Sequence, residues 1–177
     1  MRIISGSHKG KQIFPDKNFS ARPTTDFAKE NLFNVLTNYL DIEGTRCLDL
    51  FSGTGSISYE LASRGAAEII SVEQNFKHYA FIKRTAAELG FQAMQIFKTD
   101  AFLACRKLAG RKFDLIFADP PYRLEKINDL PAAIFDHDLL APEGIAVIEH
   151  PVETDFSTPP RFSEHRQYGS VNFSFFR

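Results

Sequence analysis

The chain has 177 residues, which fits one domain with or without a small appendage, and at 44% hydrophobic it can bury a sizeable core. No apolar run is long enough to span a membrane, and the start lacks a charged-then-apolar leader. The formal net charge of −1 excludes a general polycation, yet Arg2, Lys9, Lys11, Lys17 and Arg22 face only Asp16 within residues 1–25, which leaves the rest of the chain net acidic. A basic arm on an acidic body suggests either a polyanionic partner met at one end or a solvated, lysine-rich hairpin. Cys47 and Cys105 form no disulfide framework and have no metal-ligand spacing; Cys47 lies in an apolar run and reads as a small buried hydrophobe. These features predict a soluble protein of the reducing cytoplasm.

In chain order, residues 1–14 read as a strand pair: Arg2-Ile3-Ile4 and Lys11-Gln12-Ile13-Phe14 flank the turn-rich Gly6-Ser7-His8-Lys9-Gly10. A polar stretch ends in Arg22-Pro23-Thr24-Thr25. A helix should start near Thr25 or Asp26 and run to about Leu40, with Ala28, Leu32, Val35, Leu36 and Tyr39 on one apolar face. A regular alternation follows. Strands are expected at 46–51, 68–73, 93–97, 113–118 and 144–149, and helices at 57–64, 76–89, 101–108 and within 125–140. Repeated β-then-α units of this length imply a parallel sheet with helices on both faces. The segments 161–167 and 171–176, joined by Tyr168-Gly169-Ser170, look like an antiparallel hairpin at the sheet edge. The domain boundaries expected are 1–24 for a basic hairpin and loop, and 25–177 for the α/β domain.

Ligands of open α/β sheets bind beyond the carboxyl ends of the strands, so strand ends carry the functional reading. The first strand runs into Asp49-Leu50-Phe51-Ser52-Gly53-Thr54-Gly55, whose glycines allow a sharp turn and close approach to a ligand. Ser58 stands where a dinucleotide fingerprint wants its third glycine, and Asp49 would repel a pyrophosphate; a carboxylate suits a cation such as an amino-acid ammonium. Glu73 ends the second strand, where an acid accepts hydrogen bonds from ribose hydroxyls of nicotinamide cofactors and of S-adenosylmethionine alike, or caps the next helix. Asp100 either caps the helix that follows or accepts from an adenine amino group, with the Ala101 amide on the ring edge. The histidines are scattered and suggest neither a triad nor a metal site.

The most specific stretch is Asp119-Pro120-Pro121-Tyr122, which closes the apolar strand 113–118. The prolines stop the strand and stiffen the backbone. Methylating an exocyclic amine requires its lone pair to be drawn out of conjugation. The Asp119 carboxylate and the Pro120 carbonyl can hold both N–H bonds, while Tyr122 stacks on the flat group. A nucleobase would have to be unpaired or flipped out to reach them.

Together these residues resemble the class I S-adenosylmethionine-dependent methyltransferases that methylate amines, and more narrowly the RsmD-type enzymes, bacterial 16S ribosomal RNA guanine-N2 methyltransferases. The resemblance spans nearly the whole length. It rests on Met1–Gly6 with His8–Lys11, Arg22–Asp26 followed by Glu30–Asn34, Leu48–Gly55, Ser63–Ala66, Asp119–Tyr122 and Tyr168-Gly169. It implies a Rossmann-like α/β fold: a mostly parallel seven-stranded sheet with an antiparallel C-terminal hairpin, helices on both faces, and a small N-terminal β-hairpin appendage. It implies S-adenosylmethionine as methyl donor, no metal, and a guanine of 16S rRNA in an assembling 30S particle as substrate, for a monomeric enzyme. Carried over, Asp49, Phe51, Gly53 and Gly55 would hold the methionine end, Glu73 the ribose, and Asp100 with Ala101 the adenine. Thr24 would lie in a loop closing over the cofactor. Asp119, Pro120 and Tyr122 would grip the guanine, and Arg2, Lys9, Lys11 and Arg22 would meet RNA. Phe27 stands where relatives usually carry a basic residue, with Lys29 as the candidate replacement. The alternatives are an adenine-N6 DNA or RNA methyltransferase, for which the chain has little room for a sequence-reading region, and a non-catalytic rRNA-binding assembly factor, which would need no amine grip. A glutamine methyltransferase would begin its tetrapeptide with Asn, and a nicotinamide oxidoreductase would leave Asp49 and Asp119–Tyr122 unexplained.

Overall fold

The computed structural model describes residues 1–15, 19 and 25–177. Its elements are α1 (Asp26–Leu36), β1 (Arg46–Leu50), α2 (Ser56–Ser63), β2 (Glu68–Val72), α3 (Phe76–Glu88), β3 (Met94–Phe97), α4 (Ala101–Lys107), β4 (Phe113–Ala118), α5 (Leu130–Phe135), β5 (Leu140–His150), β6 (Phe162–Tyr168) and β7 (Val171–Phe176). They form one seven-stranded sheet in the order β3-β2-β1-β4-β5-β7-β6. β1 to β5 pair in parallel, and β7 inserts antiparallel between β5 and β6. No described helix is long and apolar enough to cross a membrane.

The two-residue period of the strands builds two cores. Cys47, Leu115, Phe117, Ile145 and Val147 point to one face, against α1, α2 and α3. Leu48, Leu50, Ile116, Ala118, Ala146 and Ile148 point to the other, against α4 and α5. A one-residue slip would exchange the faces of every strand, so burial on both sides fixes the register.

Three elements differ from the sequence reading by more than one residue at an end. α1 stops at Leu36 rather than near Leu40, because Asn38 N–H and Tyr39 N–H donate to Val35 and Leu36 carbonyls three residues back, tightening the last turn. β5 begins at Leu140, not Gly144, with a register shift opposite the Phe113–Leu115 stretch that lets the extra residues pair. The N-terminal strand pair shrinks to a single Arg2–Gln12 bridge. The physical reason is competition: Ile4 N–H and Ser5 N–H donate to the Glu60 carboxylate at 2.7 and 3.0 Å instead of to a partner strand.

The arm therefore packs onto α2. Ser7 N–H donates to the Ser63 carbonyl at 2.7 Å, and Ser63 Oγ donates to the Ser5 carbonyl at 2.6 Å. The approach is so close that a Cβ at Gly6 would lie 1.8 Å from the Ser63 carbonyl oxygen, so no other residue fits there. Beneath it, Lys29 Nζ donates to the Arg2 carbonyl at 2.6 Å and to Ser56 Oγ at 3.2 Å, and sits 3.8 Å from Glu60. Lys29 is fully buried, and burial holds its ammonium below the usual lysine range. It is thus a strut under the arm and not the exposed basic replacement for Phe27, which itself is exposed.

Candidate functional site

β2 and β4 flank β1 on opposite sides, so the strand order reverses between β1 and β4, where open α/β sheets form their crevice. A cleft of about 670 Å³ lies there. The ladders continue just past the strand ends and hold the loops: Ser52 N–H donates to the Val72 carbonyl at 2.8 Å, Glu73 N–H to Phe97 at 3.0 Å, and Asp119 N–H to Leu50 at 3.4 Å.

The glycine loop is folded around its own acids. Phe51 takes a left-handed conformation, φ 65°, unusual for a bulky side chain and a place where the fold holds local strain. Gly55 has φ 80° and begins α2; a Cβ there would lie 2.6 Å from the Tyr59 ring. Asp49 is buried below the loop. Ser58 Oγ donates to its carboxylate, and Ser71 Oγ lies 2.7 Å from Ser58 Oγ. The serine that spoils the dinucleotide fingerprint therefore serves the acid. Burial, with the charges of Asp119 and Glu73 adding to it, lifts the Asp49 carboxyl to about 7 despite the Ser58 and Ser52 hydrogen bonds. Glu73 accepts from Gly53 N–H at 2.9 Å and from Asn75 N–H at 2.6 Å, so it ties the loop to the start of α3. His78 Nδ1 lies 3.8 Å from Glu73, and the ring stacks on Phe19 at 4.3 Å.

Across the cleft stand Asp119, Pro120, Pro121 and Tyr122, and with them Glu149 from the end of β5. Tyr122 hydroxyl donates to Glu149 Oε1 at 3.3 Å. Burial, then repulsion from Glu149, raises the Asp119 carboxyl well above the usual range; burial raises Glu149 to about 7, against the pull of the Tyr122 bond. The described lining thus carries Asp49, Glu73, Asp119 and Glu149 but no lysine or arginine. Such a site disfavours a pyrophosphate and favours a ligand that brings positive charge and hydrogen-bond donors.

Of the residues expected from sequence, Asp49, Phe51, Gly53, Glu73, Ala101, Asp119, Pro120 and Tyr122 all line this one cleft. The Asp100 carboxylate accepts from Leu103 N–H at 3.0 Å as the cap of α4, while its neighbours Thr99 and Ala101 reach the lining. Thr24 and Arg22 lie outside the described residues; the next residue, Thr25, caps α1 and lines the cleft. Arg2, Lys9 and Lys11 are exposed on the arm, Arg2 in an ion pair with Asp26 at 3.6 Å. Sequence reasoning passed over His78, Ser170 and, above all, Glu149. The signal for Glu149 was present, since it too is an acid at the end of an apolar strand.

The fold is that of the S-adenosylmethionine-dependent methyltransferases. YlbH of Bacillus subtilis (strain 168) is 38% identical over 158 residues, covering 88% of this chain and 85% of the relative. Ribosomal RNA small subunit methyltransferase D of Escherichia coli (strain K12) is 31% identical over 170 residues, covering 94% and 83%. The solved structure of yhhF from Escherichia coli superposes with a TM-score of 0.85 at 28% identity, covering 99% of this chain and 96% of that one. The profile of the family described as Conserved hypothetical protein 95, the RsmD-type family, matches residues 1–177, and the chain belongs to that family.

Proposed function

We propose that this protein transfers a methyl group from S-adenosylmethionine to the exocyclic N2 amine of a guanine in small-subunit (16S) rRNA, on an assembling 30S particle. The observation that carries the reading is the convergence, in one cleft, of an amine grip at Asp119–Tyr122 with the cation-favouring acids Asp49 and Glu73. The similarity to the Escherichia coli protein named Ribosomal RNA small subunit methyltransferase D supports the choice of rRNA.

Bound S-adenosylmethionine supplies an electrophilic methyl on a positively charged sulfur. The protein's own groups do the rest. Asp49 and the loop Phe51–Gly53 take the amino-acid end, where the ammonium relieves the buried carboxylate; Glu73 retains lone pairs for ribose hydroxyls beside its loop contacts; Ala101, with Asp100 beside it, meets the adenine. The Asp119 carboxylate and Pro120 carbonyl hold the target N–H bonds, freeing the nitrogen lone pair, and half-exposed Tyr122 offers a stacking face. A methylated amine must shed a proton, and the raised affinity of Asp119 for protons suits it to accept one. Arg2, Lys9 and Lys11, with Arg22, would meet RNA phosphates.

The test is transfer of labelled methyl from S-adenosylmethionine to 30S particles from cells lacking the protein, with the product nucleoside mapped. N2-methylguanine at one position of 16S rRNA is the expected result. Label on adenine, on DNA or on protein alone would overturn the reading.

A further inference from the structure

Among the described residues that line the cleft, Glu149 alone has a fully buried side-chain oxygen without a hydrogen-bond partner. It is 6% exposed, its Oε1 is engaged by the Tyr122 hydroxyl, and its Oε2 is buried without a hydrogen-bond partner in the described structure. An unpartnered carboxylate oxygen is expensive to bury, and β5 fills the positions just before it with Val147 and Ile148. The fold keeps an acid at the end of an otherwise apolar buried run. That acid lines the same cleft as Asp119, Pro120 and Tyr122, close enough to Asp119 for the two charges to repel.

Two carboxylates side by side repel a hydrogen-bond acceptor and attract a row of donors. Among the nucleobases that carry an exocyclic amine, guanine presents a ring N1–H next to its amine, whereas adenine and cytosine present a ring nitrogen lone pair there. An extruded base is read along this edge. Resting on the reading that the substrate is a guanine N2 amine, we propose that Glu149 Oε2 accepts the N1–H of the target guanine and is the residue that selects guanine over bases with an acceptor beside the amine. Asp119 and the Pro120 carbonyl take the two N2 hydrogens, and the Tyr122 hydroxyl, by occupying Oε1, turns Oε2 toward the base. Selection then works by repulsion of the wrong base as well as by attraction of the right one.

The experiment uses the full chain and small subunits reconstituted with either guanine or 2-aminopurine at the mapped target position. 2-Aminopurine keeps the N2 amine but carries a lone pair at N1. Wild type should favour guanine by about 10- to 100-fold in kcat/KM, the scale of a hydrogen bond to a charged group. Glu149→Gln offers an amide that can donate to N1, so its guanine preference should fall by at least about tenfold or invert. Cofactor binding and thermal unfolding report that the variant is folded. An equal loss on both substrates, leaving the ratio unchanged, would mean a structural role and overturn the proposal. Equal methylation of both substrates by wild type would overturn it whether or not the variant folds. Wild type that makes no N2-methylguanine at all overturns the functional reading itself, which is a separate result.

Discussion

Two glutamates, Glu60 within α2 and Glu149 at the end of β5, are both buried and treated in opposite ways. Glu60 receives Ile4 N–H, Ser5 N–H, the Arg64 guanidinium at 2.8 Å and the Lys29 ammonium at 3.8 Å. Glu149 receives one tyrosine hydroxyl and keeps an oxygen without a partner. A charge that the fold has already satisfied belongs to the structure; a charge left wanting at a cleft is held for a ligand. The same contrast separates Lys29, which is consumed under the arm, from Lys9 and Lys11, which lie exposed on its surface.

The largest effect should come from the unsatisfied side. Asp119→Ala should lower methyl transfer by at least about 1,000-fold, because on the proposed mechanism it removes an acceptor on the amine and a candidate proton acceptor together. Cofactor affinity, read by calorimetry, should stay within about threefold, since Asp49 and Glu73 remain. Retention of most activity would break the assignment of the amine grip.

On the satisfied side the loss should be of stability. Glu60→Ala strands a buried ammonium and two backbone donors, and should destabilise the fold by about 3–5 kcal/mol in denaturant unfolding. Lys29→Met in the same background should recover part of it, because the stranded charge is then gone. No recovery would mean that Glu60 matters for its backbone bonds alone.

This division also governs what the sequence made legible. The parallel strands were readable because Cys47–Leu50 and Phe113–Ala118 are apolar runs of strand length, buried on both faces. Asp49, one residue inside the end of its strand, and Glu73 and Asp119, just past theirs, stood out as acids at the ends of apolar runs. Glu149 obeys the same rule but is followed by His150-Pro151 without the glycines or paired prolines that flag the other loops. Glu60 was invisible: within Ser56–Ser63 it looks like any solvated helix acid, and its partners arrive from 55 and 56 residues away. Lys29 was misread for the same reason, since a local window cannot see an arm that folds back over it.

The raised carboxyls predict a pH signature of smaller size. Asp49 titrates at about 7 in the folded chain against an ordinary 3.8, and Glu149 at about 7 against 4.5. Between these limits the folded state binds more protons than the unfolded one, so these groups make stability fall as pH rises, with the loss complete above about 7. Burial lowers the His150 imidazole, which acts with the opposite sign in acid. The diagnostic is therefore a difference: the Tm of unliganded Asp49→Asn should exceed that of wild type by about 5 °C at pH 8, and the gap should shrink toward pH 5. A gap independent of pH would show that Asp49 is not strained by ionisation.

The smallest effect tests the free end of the arm. Lys9 and Lys11 are exposed, so replacing both with Ala should leave unfolding unchanged within about 0.5 kcal/mol, unlike any change at Glu60. If they meet RNA phosphates, binding to 30S particles should weaken by about 3- to 10-fold at physiological salt. The slope of log affinity against log salt should also flatten by about 1 to 2, since each phosphate contact contributes about 0.7 to 0.9. Arg2 is a poorer probe, because its ion pair with Asp26 ties it to the start of α1 and its loss would disturb that contact as well. A slope unchanged by the double substitution would assign the whole arm to the structural side of the comparison, a clamp on α2 whose exposed lysines are only solvated.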